Sequence, residues 1–189
     1  MSDYGGKSLK RTLALLAAAA GMFLATGPAA AFLESDVIWS GAAGSGSNTS
    51  YVVFDFGPDS YAFKYSYEGT KSGYDMMTVL AAEISGLDLQ FSFFGGEAFL
   101  GSVAYPPYPA TGGGTIWWAY WWSTDGENWG FAGSGASSRT LTDGSWDGWS
   151  MVPDFDTWAT PPNAPVVPEP LTGIVLGVGL ISLILRKKA

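Results

Sequence analysis

Trp117, Trp118, Tyr120, Trp121 and Trp122 fall within six residues, and Trp129 follows closely. Indole and phenol rings are flat and largely apolar, and they stack on sugar rings or on a flat macrocycle. On an extended strand, Trp117 and Trp121 lie on one face, with Trp118, Tyr120 and Trp122 on the other. A thin two-layer domain cannot make both faces deep core. Two covers for the second row are open: the loop 104–114 (AYPPYPATGGG), or a guest. These six aromatic residues are the candidate ligand-binding set.

Carboxylates are the other chemistry. Asp125, Glu127 and Asn128 share one turn, Asp143 and Asp147 another, Asp154 and Asp156 a third. Oxygen ligands of this kind suit calcium. No stretch has the spacing of a calcium-binding loop, however, and Asp-Gly is ordinary turn chemistry. The chain has no His and no Cys. That removes Ser-His-Asp and Cys-His triads, most zinc sites and disulfide staples. There is no Gly-x-Ser-x-Gly elbow, phosphate loop or dinucleotide fingerprint. We assign no catalytic residue, no metal ligands and no cofactor, and expect a non-enzymatic protein.

The elements that must position the rings are mostly strands. Residues 51–56 are β-branched and aromatic, 57–60 are turn chemistry, and Tyr61, Phe63, Tyr65 and Tyr67 alternate with smaller or polar residues. The period then changes. Met76, Met77, Leu80 and Ile84 share one helical face, Ser72 or Asp75 is placed to cap the start, and Gly86 to end it. This predicts a helix over 72–85. Strand character returns in 87–94, 99–104, 116–122, 129–132 and 140–151. The expected fold is α+β: a mixed, mainly antiparallel sheet with one packed helix, in a single domain over 51–158. Before it, 32–50 reads as a Gly/Ser-rich flexible leader; after it, 159–166, with its prolines, reads as an extended linker that lifts the domain off a membrane.

Both ends look like transport signals. Lys7, Lys10 and Arg11 precede an apolar stretch, then Gly27-Pro28 and Ala29-Ala30-Ala31. This is a secretory signal peptide, 1–31, with Ala29 and Ala31 at the cleavage site and Phe32 as the mature start. At the other end come Val167, Pro168, Glu169 and Pro170, an apolar run 171–185, and Arg186, Lys187 and Lys188. As a helix the run reaches about 22 Å, against ~30 Å of hydrocarbon, and the basic cluster predicts a cytoplasmic C-terminus. Between Phe32 and Pro170 there are 16 acidic and 3 basic residues, a net charge of about −13. Such a polyanion repels nucleic acid and anionic membrane surfaces.

The Val-Pro-Glu-Pro, apolar run and basic end together resemble the PEP-CTERM sorting signal of exported Gram-negative proteins, here 167–189. That resemblance implies an exosortase-type membrane enzyme as partner, a single-pass inner-membrane precursor with transmembrane segment 171–185, and a mature protein at the outer surface or in exopolysaccharide. The body carries a second resemblance. Its hairpin, helix, Gly-rich loop, Gly114, Trp117 or Trp118, Tyr120 and late Asp143-Gly144 are similar to the C-terminal β-grasp-like domain of transcobalamin-type proteins. It departs from that pattern at Ser145, where the family has a second Asp, and in lacking the accompanying helical domain. The resemblance implies a β-grasp-like fold and a corrinoid as an alternative guest to a glycan.

Overall fold

The computed structural model describes residues 37–165; the expected signal peptide 1–31 and the expected sorting signal 167–189, with its apolar run, lie outside the described residues. The described chain is mostly sheet with one short helix, an α+β arrangement. In order it runs β1 (Trp39–Gly44), β2 (Asn48–Asp55), β3 (Ser60–Tyr67), α1 (Gly73–Glu83), β4 (Asp88–Phe94), β5 (Glu97–Tyr105), β6 (Tyr108–Thr111), β7 (Trp117–Ser123), β8 (Gly130–Phe131) and β9 (Trp146–Val152).

The expected single sheet is two. Six strands form one, ordered β1-β3-β2-β9-β7-β8, and three form the other, β4-β5-β6. In the large sheet β2 and β3 are an antiparallel hairpin, β2 runs parallel to β9, and β9 runs antiparallel to β7. The helix follows the hairpin, as its apolar spacing predicts. Ser72 caps it: the Asp75 N–H donates to Ser72 Oγ and the Ser72 N–H donates to Asp75 Oδ2. Met76, Met77 and Leu80 are fully buried and Ile84 partly so. Gly86, at φ +84°, turns the chain away.

The main core lies between one face of the large sheet, the helix and the small sheet. It joins Val52, Phe54 and Phe63 to Leu80, Val103, Trp118, Tyr120 and Trp149. Pleating fixes this: even residues of β2 and β7 pair with odd residues of β9, such as Phe54 with Trp149 and Tyr120 with Trp149, so their side chains share a face.

Two boundary expectations are corrected. Residues 39–44, read as flexible leader, form β1, paired parallel to β3. The glycines are there for close approach: a Cβ on Gly44 or Gly46 would collide with the β3 backbone at Ser66 or Tyr67, and both have positive φ. Of the stretch 159–166, read as an extended linker, the described residues 159–165 instead lie on the outer face of the large sheet. Thr160 O accepts from Ser150 Oγ (2.6 Å), Asp55 Oδ2 accepts from the Asn163 N–H (2.8 Å) and Nδ2 (3.0 Å), and Pro165 O accepts from the Ile38 N–H (2.7 Å). Pro162 and Ala164 point inward and are buried. Among the described residues no helix is long and apolar enough to cross a membrane.

Candidate functional site

β7 is the strand that sorts the aromatic residues. Trp118 and Tyr120 face the main core and are buried. Trp118 donates from Nε1 to Thr111 O at 2.8 Å, and its ring meets Phe56 edge-on. Tyr120 stacks on Trp149, centroids 4.3 Å apart. Neither ring has a free face, so these two members of the sequence set serve as core.

The segment 104–114 packs on this same side, with Tyr108 stacked on Phe56. It thus covers the Trp118 row, as one of the two covers the sequence left open, and leaves the Trp117/Trp121 face to another segment. That face is covered by the strap of residues 155–165 instead. Trp117 donates from Nε1 to Asp154 O and Trp121 from Nε1 to Ser150 Oγ, which fixes both rings.

The cover is incomplete. Between the sheet and the strap lies a cleft of about 620 Å³, with Trp117 and Trp121 as floor and Phe131, Phe155, Trp158 and Ala159 as walls. Phe131 meets Trp121 edge-on, centroids 5.1 Å apart. Phe131 is 55% exposed, Phe155 72% and Trp158 92%. Polar groups are few: Asp156 and Thr157. The volume is in the range of small-molecule sites.

The strand-alternation argument missed Phe131, Phe155 and Trp158. The signal for the last two was present: in Asp154-Phe155-Asp156-Thr157-Trp158 the rings sit among polar residues in a loop, where no strand period gives them a buried face.

Trp122 and Trp129 belong to a second depression of about 1220 Å³, shared with Glu127, Asn128 and strap residues 160–164. The Arg139 guanidinium lies over the Trp122 ring, 5.4 Å from its centroid. Arg139 Nε also pairs with Asp147 Oδ1 at 3.2 Å.

Asp147 is not a turn residue but part of β9, and it is buried. Tyr120 donates its hydroxyl to Asp147 Oδ2 at 2.6 Å. Burial pushes the Asp147 pKa up to about 6, against the hydrogen bond from Tyr120 and the charge of Arg139. Burial and the neighbouring carboxylate hold Tyr120 well above its usual value. The trio is enclosed under the first turn of α1: a Cβ on Gly73 would come within 2.6 Å of Asp147 Oδ2.

The turn carboxylates bind their own backbone. Asp125 Oδ1 accepts the N–H groups of Glu127 and Asn128, and these bonds hold its carboxyl below the usual range. Asp154 Oδ1 accepts the N–H groups of Asp156 and Thr157 and the Thr157 hydroxyl. Asp143 Oδ1 accepts the Thr49 N–H. Among the described residues no three such groups converge as metal ligands. No protein-family model, no curated protein and no solved structure matches this chain.

Proposed function

We propose that this chain is an exported, non-enzymatic surface protein whose domain holds sugar rings of an extracellular polysaccharide in the aromatic cleft. The observation that carries the reading is the ring of exposed side chains, Phe131, Phe155 and Trp158, around the Trp117/Trp121 floor. A large aromatic side chain left in water forgoes roughly 2–3 kcal/mol of burial energy. Three of them around one depression make an apolar platform that a guest would cover. A pyranose offers an apolar C–H face to such a platform and hydroxyls to its rim.

The lining of the aromatic cleft supports the non-catalytic part of the proposal. Glycoside hydrolysis uses two carboxyl groups across the scissile bond. Among the residues lining the cleft, Asp156 is the lone carboxylate.

Export and sorting rest on the two ends of the sequence. The charged start, apolar stretch and small-residue site at 1–31 support export. The Val167-Pro168-Glu169-Pro170 tail, apolar run and basic end support processing by an exosortase-type enzyme from an inner-membrane precursor.

The alternative guest is a corrinoid. The observation favouring it is the strand order β3-β2-β9-β7, with a central parallel pair and the helix after the hairpin. That order supports a β-grasp-like core, with β4-β5-β6 inserted between the helix and β7, in keeping with the transcobalamin-type resemblance.

One titration tests both readings. The full chain, in a detergent without a sugar headgroup, is titrated with neutral oligosaccharides and separately with cobalamin while tryptophan fluorescence is followed. A saturable change with an oligosaccharide, lost in Trp158→Ala, is expected. Response to cobalamin alone shifts the guest to a corrinoid; response to neither overturns the cleft as a ligand site.

A further inference from the structure

The second depression is lined by the chain neighbours of residues that line the aromatic cleft. On the strap, Ala159 lines the cleft and Thr160 the depression; on the sheet edge, Phe131 lines the cleft and Gly130 the depression. Each crossing takes one peptide unit, about 3.8 Å. The two hollows are thus bounded by the same pair of chain segments, and Trp129, which lines the depression, also packs against the Trp121 cluster of the cleft floor.

Their chemistry differs. The cleft is nearly all ring and alkyl surface. The depression has the Trp122 ring, 41% exposed, beside the Glu127 carboxylate, the Asn128 amide and two prolines. Prolines offer carbonyl acceptors and no N–H. Glu127 Oε1 is buried and finds no hydrogen-bond partner among the described residues. A buried acceptor left without a donor is costly, and because Glu127 is only half-buried and lines the depression, a turn of its carboxyl would bring this atom to a ligand hydroxyl there. The lining also holds donors, the Trp122 and Trp129 indoles and the Thr160 hydroxyl, so it can meet sugar hydroxyls in both senses.

We propose that the depression is a hydrogen-bonding subsite for the same glycan whose neighbouring ring stacks in the aromatic cleft, giving the domain a two-subsite site for a linear, uncharged polysaccharide. This rests on the glycan reading above. Hydroxyl groups supply the donors that Glu127 lacks. Uronic acids are disfavoured, because a carboxylate would approach Glu127, Asp125 and Asp156 on a domain already strongly negative. The ring of Trp122, with one face held against Arg139, gives the second sugar a fixed plane.

The test uses the full chain in a zwitterionic detergent. Affinities are measured calorimetrically for a neutral hexose monosaccharide, its di- to tetrasaccharides, and a uronate oligomer of matched length. Affinity is expected to rise at least tenfold from mono- to trisaccharide, with the uronate binding weakly even in low salt. In Glu127→Gln, which replaces the charged acceptor by an amide of the same shape, that gain should shrink about tenfold. Phe94→Ala, in the separate small sheet, serves as control and should keep the gain. If wild type and Glu127→Gln show the same gain, or if the uronate binds as well as the neutral oligomer, the subsite proposal falls while the aromatic cleft stands. If the wild type binds no saccharide at all, both fall together.

Discussion

The buried Asp147 gives the domain a measurable pH signature. Its pKa is raised from 3.8 to about 6, so the folded protein binds this proton more tightly than the unfolded one. Its contribution is therefore fully favourable below about pH 4 and is lost as pH rises through 6, with a limiting slope of about 1.4 kcal/mol per pH unit. The whole loss is about 3 kcal/mol, of which about 2 kcal/mol falls between pH 4.5 and 6.5. Against a typical total of roughly 5–15 kcal/mol this is large. It should lower the melting temperature by on the order of 5–10 °C across that interval. Asp75, Asp125 and Asp154 have lowered values, so their stabilisation is complete above the normal carboxylate range and fades only in stronger acid. The chain has no histidine to titrate near pH 6. The assay is urea unfolding by tryptophan fluorescence at half-unit steps from pH 4.5 to 6.5, for wild type and Asp147→Asn. Asparagine retains an oxygen for the Tyr120 hydroxyl but does not titrate. The wild type should lose stability steadily and the variant should be flat. Wild-type stability that is level or rising over this range, or a variant that keeps the wild-type slope, would refute the burial argument.

Two glycines test the packing. Gly73→Ala should destabilise the fold by about 1–2 kcal/mol in chemical unfolding, although alanine is the better helix former, because the added methyl meets Asp147 Oδ2 at 2.6 Å and the Tyr120 hydroxyl at 2.8 Å. Gly148→Ala places a Cβ against Pro162 Cγ, and 2.8 Å from the Trp129 ring. It should push the strap off the sheet, seen as new protease cleavage within 155–165 with the core tryptophan signal retained, and oligosaccharide binding should weaken together with it.

What the sequence made legible was local. The helix could be read from Met76, Met77 and Leu80 on one face and from Ser72-x-x-Asp75 at its start, and the β2–β3 hairpin from its aromatic alternation. What it concealed depends on distant partners. β1 has the composition of a linker; it is a strand because Gly44 and Gly46 let it fold back on β3. β6 contains Pro109 and follows two more prolines; it survives as a strand because it is an edge. The division into two sheets is invisible in periodicity, which fixes which way side chains point but not which strand pairs with which. For the candidate site, Trp117 and Trp121 were found by counting along a strand. Phe155 and Trp158 acquire meaning only once the strap docks, and it docks through Asp55, 108 positions before Asn163.

The docked strap also bears on processing. Among the described residues its last bond to the domain is the Pro165 carbonyl to the Ile38 N–H, which ties together the two ends of the described chain. If cleavage falls at Pro168–Pro170, as the tail implies, three to five residues separate the site from the last anchored atom, a reach of at most roughly 10–17 Å. A membrane enzyme would meet the domain itself at that distance, not a tether. Either the domain stands against the membrane when it is cut, or the strap peels away, and peeling would take Phe155 and Trp158 from the cleft. The two routes give different rates. In an exosortase-bearing host, intact-mass measurement of the wild type should find a chain beginning at Phe32 and ending near Pro168–Pro170, and Glu169→Ala should accumulate as precursor. If the strap must peel, Gly148→Ala, which loosens it, should be processed faster than wild type; if the domain is cut while docked, the two rates should match. Recovery of a surface protein that still carries 171–185 would remove the processing proposal altogether.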